Sequence, residues 1–397
     1  MVVVTDDNCT SGSAINTDVL QIIVDTGITA YTGITNVGEA WMSLFTGITS
    51  DSVIGIKVSL LNPLVATKPE TAQAVINGLL QMPITGGFDP NNIIIWDRTN
   101  YDLINAGYTI NTGTIGVRCF GTNQSGVGYS LPALNVNGIT SYTSVIFSQY
   151  IDYLINLPVI KDHSFSGATL TLKCHYGSIS NPGSLHYSYC DPYIPALNRE
   201  LIDALGDKQK FCLVDSIFGI FSGGPNGPPD FAYNGVILGE DMVSIDHIGL
   251  DILVENGMNH AWQATHIETA SQPPYNLGNY NPSLIERIDI QNPSTGVSNP
   301  GAGEPTDFRL INSYPNPFNQ SAFIRFSLSK PGLVNMTIYD VRGRLVKVIA
   351  DGDFSPGQHT LSWNGVDASG IPLPSGAYFC RMVSGNIART LKMMLVR

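Results

Sequence analysis

Residues 308–397 are built from short segments in which apolar and polar residues alternate, split by Gly, Pro, Asn and Asp. A period of two sends every second side chain to the same face of an extended chain. Ile324, Phe326 and Leu328 fall on one side; Val334, Met336 and Ile338 do the same; Leu391, Met393 and Leu395 finish the set. Such segments are stable only as antiparallel strands that share one buried face. This predicts a small all-β, immunoglobulin-like sandwich at the C-terminus.

The residues before it carry a different signal. A chain of 397 residues exceeds what one simple core holds, so two domains are expected. Short helices are expected over residues 18–26 and 38–45. The β-rich run 53–61 is followed by Thr67-Lys68-Pro69-Glu70, which reads as a capping box. Ala72, Val75, Ile76, Leu79 and Leu80 then make one helical face, and the run 92–96 reads as a buried strand. Strand, helix, strand in this order predicts a parallel βαβ unit with a right-handed crossover. Further strands are expected over 150–158, 211–215 and 236–238. A helix should start at Asp191-Pro192, and another behind Asp241 as its N-cap. Residues 266–270 and 283–290 read as a last helix and strand. The expected fold is therefore an α/β domain with a mostly parallel sheet over 1–290, a linker over 291–305 and the β-sandwich over 306–397. The linker is rich in Asn, Pro, Ser, Thr and Gly.

Charged residues make up only 13% of the chain and the net charge is -12. That acidic balance argues against nucleic acid as a partner, since phosphates need a basic face. No apolar run is long enough for a transmembrane segment. Met1 is followed directly by Val2-Val3-Val4-Thr5-Asp6, so no signal peptide is visible, and the sequence reads as a processed or recombinant form of an exported chain. Six scattered cysteines, none in a CxxC pair, do not form the framework of a small disulfide-stapled domain.

Against this acidic background the basic residues cluster. Lys161, His163, Lys173, His175 and His186 lie within one short stretch, and such a group suggests an anion site. Lys and His also serve as acid and base when their pKa values are shifted. Lys57 and Asp97 belong to the βαβ unit and Asp215 ends a further strand. Open α/β sheets place ligands beyond the carboxyl ends of parallel strands, so these residues, with Asp241 and Asp246 behind the strand 236–238, are expected to converge on one crevice. The candidate catalytic residues are Lys161, His163, Lys173, His175, Asp215 and Asp246; the candidate ligand-binding residues are Lys57, Asp97, His186 and Asp241. Zinc held by His163, His175, His186, Cys174 or Cys190 is the weaker reading, because the spacing matches no known zinc motif. The plainest alternative is that the carboxylates cap helices and satisfy a buried polar network.

Two resemblances sharpen these expectations. Tyr314-Pro315-Asn316-Pro317-Phe318-Asn319, the turn from Tyr339-Asp340 to Gly343-Arg344, Ser375-Gly376-Ala377-Tyr378 and the ending Lys392-Met393-Met394-Leu395-Val396-Arg397 together resemble the C-terminal sorting domain of the type IX secretion system. That resemblance implies a cargo tail, the type IX secretion machinery as partner, and an extracellular or outer-membrane-surface location. Gly55-Ile56-Lys57-Val58, Ile94-Ile95-Trp96-Asp97-Arg98, Lys161-Asp162-His163-Ser164, His175-Tyr176-Gly177 and Cys190-Asp191-Pro192 resemble the bacterial family called domain of unknown function 362, over about residues 18–290. It implies a fold and a candidate site but no reaction, and no cofactor follows from it. Two functions are consistent with this sequence: an exported α/β domain that binds an anionic ligand, or a structural surface protein that assembles into homo-oligomers or filaments.

Overall fold

Ten strands form one sheet: β1 (Val2–Thr5), β2 (Ile54–Val58), β3 (Ile93–Trp96), β4 (Arg118–Cys119), β5 (Tyr153–Leu157), β6 (Val159–His163), β7 (Gly167–Thr169), β8 (Gln209–Ile220), β9 (Phe231–Gly239) and β10 (Ile288–Gln291). The main path runs β10-β1-β9-β8-β5-β2-β3-β4, with β6 and β7 branching off β8. The run from β8 through β5, β2 and β3 to β4 is parallel throughout. Antiparallel pairs join β9 to both β1 and β8. The N-terminal domain is thus α/β with a mostly parallel sheet. This computed structural model describes residues 1–295, 308–314, 318–319, 321–328, 331–355, 357–384 and 387–397, which divide into two compact units, Met1–Asn299 and Pro300–Arg397.

The central strands are buried on both faces, as parallel strands between helical layers must be. In β3, Ile93 and Ile95 belong to one core and Ile94 and Trp96 to another. Helices α1 (Thr17–Thr32), α2 (Val37–Ser43) and α3 (Pro69–Leu79) supply the first core, through residues such as Leu20, Trp41 and Val75. Next along the chain comes the short α4 (Asn100–Asn105), and then α5 (Thr171–Cys174). Helices α6 (Tyr193–Leu205), α7 (Met242–Glu255) and α8 (Thr265–Ser271) supply the second core, through residues such as Leu197, Ile245 and Ile267.

Three local differences from the sequence reading have clear causes. The Thr67 box does not form: Thr67 donates its hydroxyl to Leu157 O at 2.7 Å and accepts from Ser59 N. The first turn of α3 is held instead by Asp215, whose carboxylate accepts from Lys68 N and Thr71 Oγ1. Extended structure also continues past Pro158 into β6, because the far half of β8 offers it a pairing edge. Finally, Gln291 ends β10, and Asn292 and Ser294 bond to Asp7 and Asp6. The first residues of the expected linker are therefore docked on β1, while 296–305 lie outside the described residues.

The C-terminal unit contains antiparallel sheets of three and four strands. Ile324, Phe326, Leu328, Val334, Met336, Ile338, Met393 and Leu395 are buried in its core with Trp363 and Tyr378. The turn after Gly332–Asp340 is fastened by Asp340, which accepts from the backbone of Arg342 and Arg344 and from Arg344 Nε. Gly343 there has φ 74°, a left-handed conformation that a side chain would oppose. Of the Tyr314–Asn319 motif, residues 315–317 lie outside the described residues.

Candidate functional site

The parallel strands end together, and their carboxyl ends build one wall. Lys57 is paired in register with Trp96 on one side and Asn156 on the other, so Asp97 and Arg98 emerge beside it as β3 ends. From β5 the chain crosses Pro158 into β6, where Lys161 and His163 share one face by the period of two. Asp162, on the other face, meets His260 Nε2 at 3.3 Å. Helix α5 delivers Lys173, and the segment behind it delivers His186. The cavity enclosed is about 310 Å³, partly open to solvent, and lined by Lys57, Asp97, Lys161, His163, Lys173 and His186 among others.

Lys57 is the settled cation of the group. Its Nζ donates to Asp97 Oδ1 at 2.7 Å and to Val58 O at 2.7 Å. Burial pulls the ammonium down, but the groups beside it, Asp97 foremost, together more than compensate, and its pKa stands above the ordinary 10.5. Gly177 is required here: a Cβ on it would sit 2.5 Å from both Asp97 Oδ1 and Lys57 Nζ.

Among the described residues, Lys161 and Lys173 have no carboxylate partner. Lys161 Nζ makes one long bond, 3.3 Å to Val65 O. Lys173 Nζ lies 3.2 Å from His186 Nε2, 3.8 Å from Cys190 Sγ and 3.9 Å from the centre of the Tyr176 ring. Burial dominates at both amines and lowers each from 10.5 to about 8. The two imidazoles have defined tautomers. His163 Nδ1 accepts from Phe165 N and Ser166 N, which leaves the proton on Nε2. His186 Nδ1 donates to Pro182 O at 2.9 Å, which leaves Nε2 with its lone pair toward Lys173. Burial, then the Lys173 charge, pull His163 down to about 2 and push His186 the same way.

The remaining candidates stand elsewhere. Asp215 is fully buried and, besides holding α3, accepts from Ile217 N. Asp246 accepts from Thr171 N, Thr171 Oγ1 and Leu172 N, and so caps α5. Asp241 is the N-cap of α7, accepting from Val243 N and Ser244 N, and also binds Asn279 N. His175 stacks on Phe147 and reaches Ser178 and Gln209. These four side chains are not part of the cavity wall; each spends its polar atoms inside the fold. Asp241 is the N-cap of α7 as expected, but Asp215, expected to end a strand, lies inside β8, which runs on to Ile220, and Asp246 lies inside α7; position alone does not tell a carboxylate that faces a ligand from one that faces backbone amides.

Sequence reasoning missed Arg98 and Thr169. Both line the cavity, and Arg98 Nε and Thr169 Oγ1 are buried with no hydrogen-bond partner among the described residues. Arg98 was findable, since it follows Asp97 directly at the strand end. Nothing in the sequence marked Thr169, which enters only because β7 folds back on β6. Among the described residues no three His, Cys, Asp or Glu side chains converge as metal ligands. All six cysteines are buried and free.

Two families match separate stretches of the chain. Residues 54–251 match the family described as Domain of unknown function (DUF362), and residues 319–386 match the FlgD Ig-like domain. Among solved structures the chain is similar to dimeric latent PorU from Porphyromonas gingivalis, at 24% identity over 22% of this chain and 9% of that one, TM-score 0.19. It is also similar to PorZ of the same organism, described as an essential surface component of its type IX secretion system, at 20% identity over 22% and 11%, TM-score 0.17. A Thermotoga maritima protein matches at 10% identity over 66% of this chain and 60% of that one, TM-score 0.35. The chain thus spans only a small part of the length of PorU and PorZ. No curated protein matches.

Proposed function

We propose that this chain is a secreted or cell-surface protein exported through a type IX secretion system, and that its α/β domain binds a small anionic ligand in the cavity at the carboxyl ends of the parallel strands. One observation carries the binding reading. Lys57, Arg98, Lys161 and Lys173 all line a single cavity, and the only carboxylate bonded to any of these four among the described residues is Asp97, on Lys57. Taking unpaired ammonium groups out of water is costly, and a bound anion would supply the missing counter-charge. Arg98 Nε and Thr169 Oγ1 add donors that no group among the described residues occupies. Export is supported by the tail motifs, read together and in order: the Asp340-fastened turn, the Ser375–Tyr378 segment and the final strand that ends in the basic terminus.

Each half has its own test. Titration calorimetry with inorganic phosphate and sulfate on the whole chain should give saturable binding that Lys161→Met weakens by about tenfold or more, as loss of a buried charge contact does. Heat signals equal for the protein and its variant would remove the anion reading, and filaments in electron micrographs of the same sample would favour a structural role. For export, deleting residues 376–397 in a host with the secretion system should strand the protein in the periplasm; undiminished delivery to the surface would remove the sorting reading.

A further inference from the structure

Lys173 and His186 stand in a relationship that anion binding does not require. The Nδ1–H of His186 is committed to Pro182 O, so its Nε2 can only accept, and it lies 3.2 Å from the Lys173 amine. A cation held purely as a counter-charge is better served by a carboxylate, as at Lys57 and Asp97. Lys173 has none. It has instead a base able to take its proton, and a burial that favours the neutral amine over the opposing pull of Cys190 beside it. At pH 7 an amine of pKa about 8 is about 300-fold richer in its free, nucleophilic form than a surface lysine of ordinary pKa. On the same cavity Arg98 and, at pH 7, Lys161 supply positive charge, and His163 presents Nε2–H as a neutral donor.

We propose that the ligand of this cavity is a small aldehyde or ketone bearing a carboxylate or phosphate, and that Lys173 condenses with its carbonyl to form an imine while His186 carries the proton. The proposal rests on the anion-site reading and adds the reacting group to it. The step balances without any outside reagent. His186 Nε2 takes a proton from the Lys173 ammonium. The freed amine attacks the carbonyl carbon, a C–N bond forms, and the C–O π pair moves to oxygen. The nitrogen of that adduct passes one proton to the oxygen, and His186 returns the other. The C–O bond then breaks, water leaves, and a protonated C=N bond remains. Lys161 and Arg98 hold the anionic end and so fix which carbonyl carbon Lys173 meets. A cavity of about 310 Å³ admits only a small molecule of this kind.

Pyruvate, which joins a ketone to a carboxylate, is the probe. The whole chain is treated with pyruvate and sodium cyanoborohydride at pH 7, digested, and its lysines mapped by mass spectrometry for Nε-(1-carboxyethyl)lysine. Lys173 should be modified at least about tenfold faster than the exposed Lys392, and inorganic phosphate should slow Lys173 alone. His186→Asn should slow it by about tenfold or more, the usual worth of a positioned base, with Lys392 unchanged as internal control. Because the wild-type map reads each lysine separately, the result does not depend on a variant that folds. Labelling of Lys173 no faster than Lys392, or labelling concentrated on Lys161, overturns the proposal. If phosphate binds by calorimetry while Lys173 stays unlabelled, the imine falls and the anion reading stands; if neither occurs, both fall.

Discussion

Lys57 and Asp97 are forty positions apart in sequence, yet Nζ and Oδ1 meet at 2.7 Å with the lysine side chain 1% exposed. Neighbouring parallel strands end side by side there, so two residues chosen by strand length alone become a buried ion pair at the base of the cavity. Breaking such a pair from one side leaves an uncompensated charge in a low dielectric, at a cost of about 3–5 kcal/mol. Asp97→Asn should therefore destabilise the N-terminal domain by about that much in urea titrations. It also weakens the acceptor for Leu60 N, which bonds Asp97 Oδ2 at 3.0 Å. A double change of Lys57→Met and Asp97→Asn, which removes the stranded ammonium as well, should be less harmful than the single one. The opposite order would mean that the backbone bond to Leu60, and not the charge pair, matters at this position.

Burial raises the Asp246 carboxyl from 3.8 to about 7 against the hydrogen bonds from Thr171 and Leu172. The folded state then holds a proton that the unfolded state has released between about pH 4 and pH 7. This group's stabilising contribution is full below the unfolded value and is lost as pH rises to about 7. Asp246→Asn should remove that slope from a plot of unfolding free energy against pH. It should also cost about 1–3 kcal/mol, because one oxygen that accepts from a backbone amide becomes a donor. A pH profile that is unchanged in the variant would assign the slope to another group.

Anion binding should fall as pH rises through about 8, where Lys161 and Lys173 lose their protons. Lys57 stays charged throughout, held by Asp97, and His163 and His186 are already neutral above their lowered values. Stability of the ligand-free protein moves the other way. The unfolded chain keeps both lysine protons up to about 10.5, while the folded one sheds them near 8. Unfolding therefore takes up protons in that window, and the fold gains stability as pH rises across it. Calorimetric phosphate titrations and thermal melts at several pH values would check the two opposite trends. Parallel trends would mean that the two amines are not the titrating groups.

What could be read from the sequence follows the range of the forces involved. The strand Ile93–Trp96 was legible because its four apolar residues suit only a doubly covered position, and the mostly parallel sheet followed from the helix between it and Ile54–Val58. Lys161 and His163 were legible as cavity-lining residues because strand ends point to the crevice. Asp215 and Asp246 were misread as facing that crevice. Asp215 lies within β8 and Asp246 within α7, and each carboxylate is captured by backbone amides 147 and 75 positions away. A cap of that span is a tertiary contact, and no local pattern encodes it. Thr169 was invisible for the same reason, since its place on the cavity depends on the pairing of β7 with β6.

The sandwich unit contains its own core, and its last strand supplies a large share of it. Met393 and Leu395 are fully buried among Phe318, Trp363 and Tyr378. Ile387–Leu395 pairs along its whole length with Gly376–Ser384, and Phe318 N and O bond Met394 O and Val396 N on either side. Removing residues 387–397 thus takes away two buried side chains, each worth about 2–5 kcal/mol when truncated, together with a full ladder. A domain of this size has stability of only about 5–15 kcal/mol. A fragment spanning 306–397 should unfold cooperatively with β-type circular dichroism, and the same fragment ending at residue 386 should give the spectrum of an unfolded chain. If the shortened fragment keeps a cooperative melt, the final strand is dispensable for folding. Any sorting defect it causes would then come from the lost residues themselves and not from collapse of the domain.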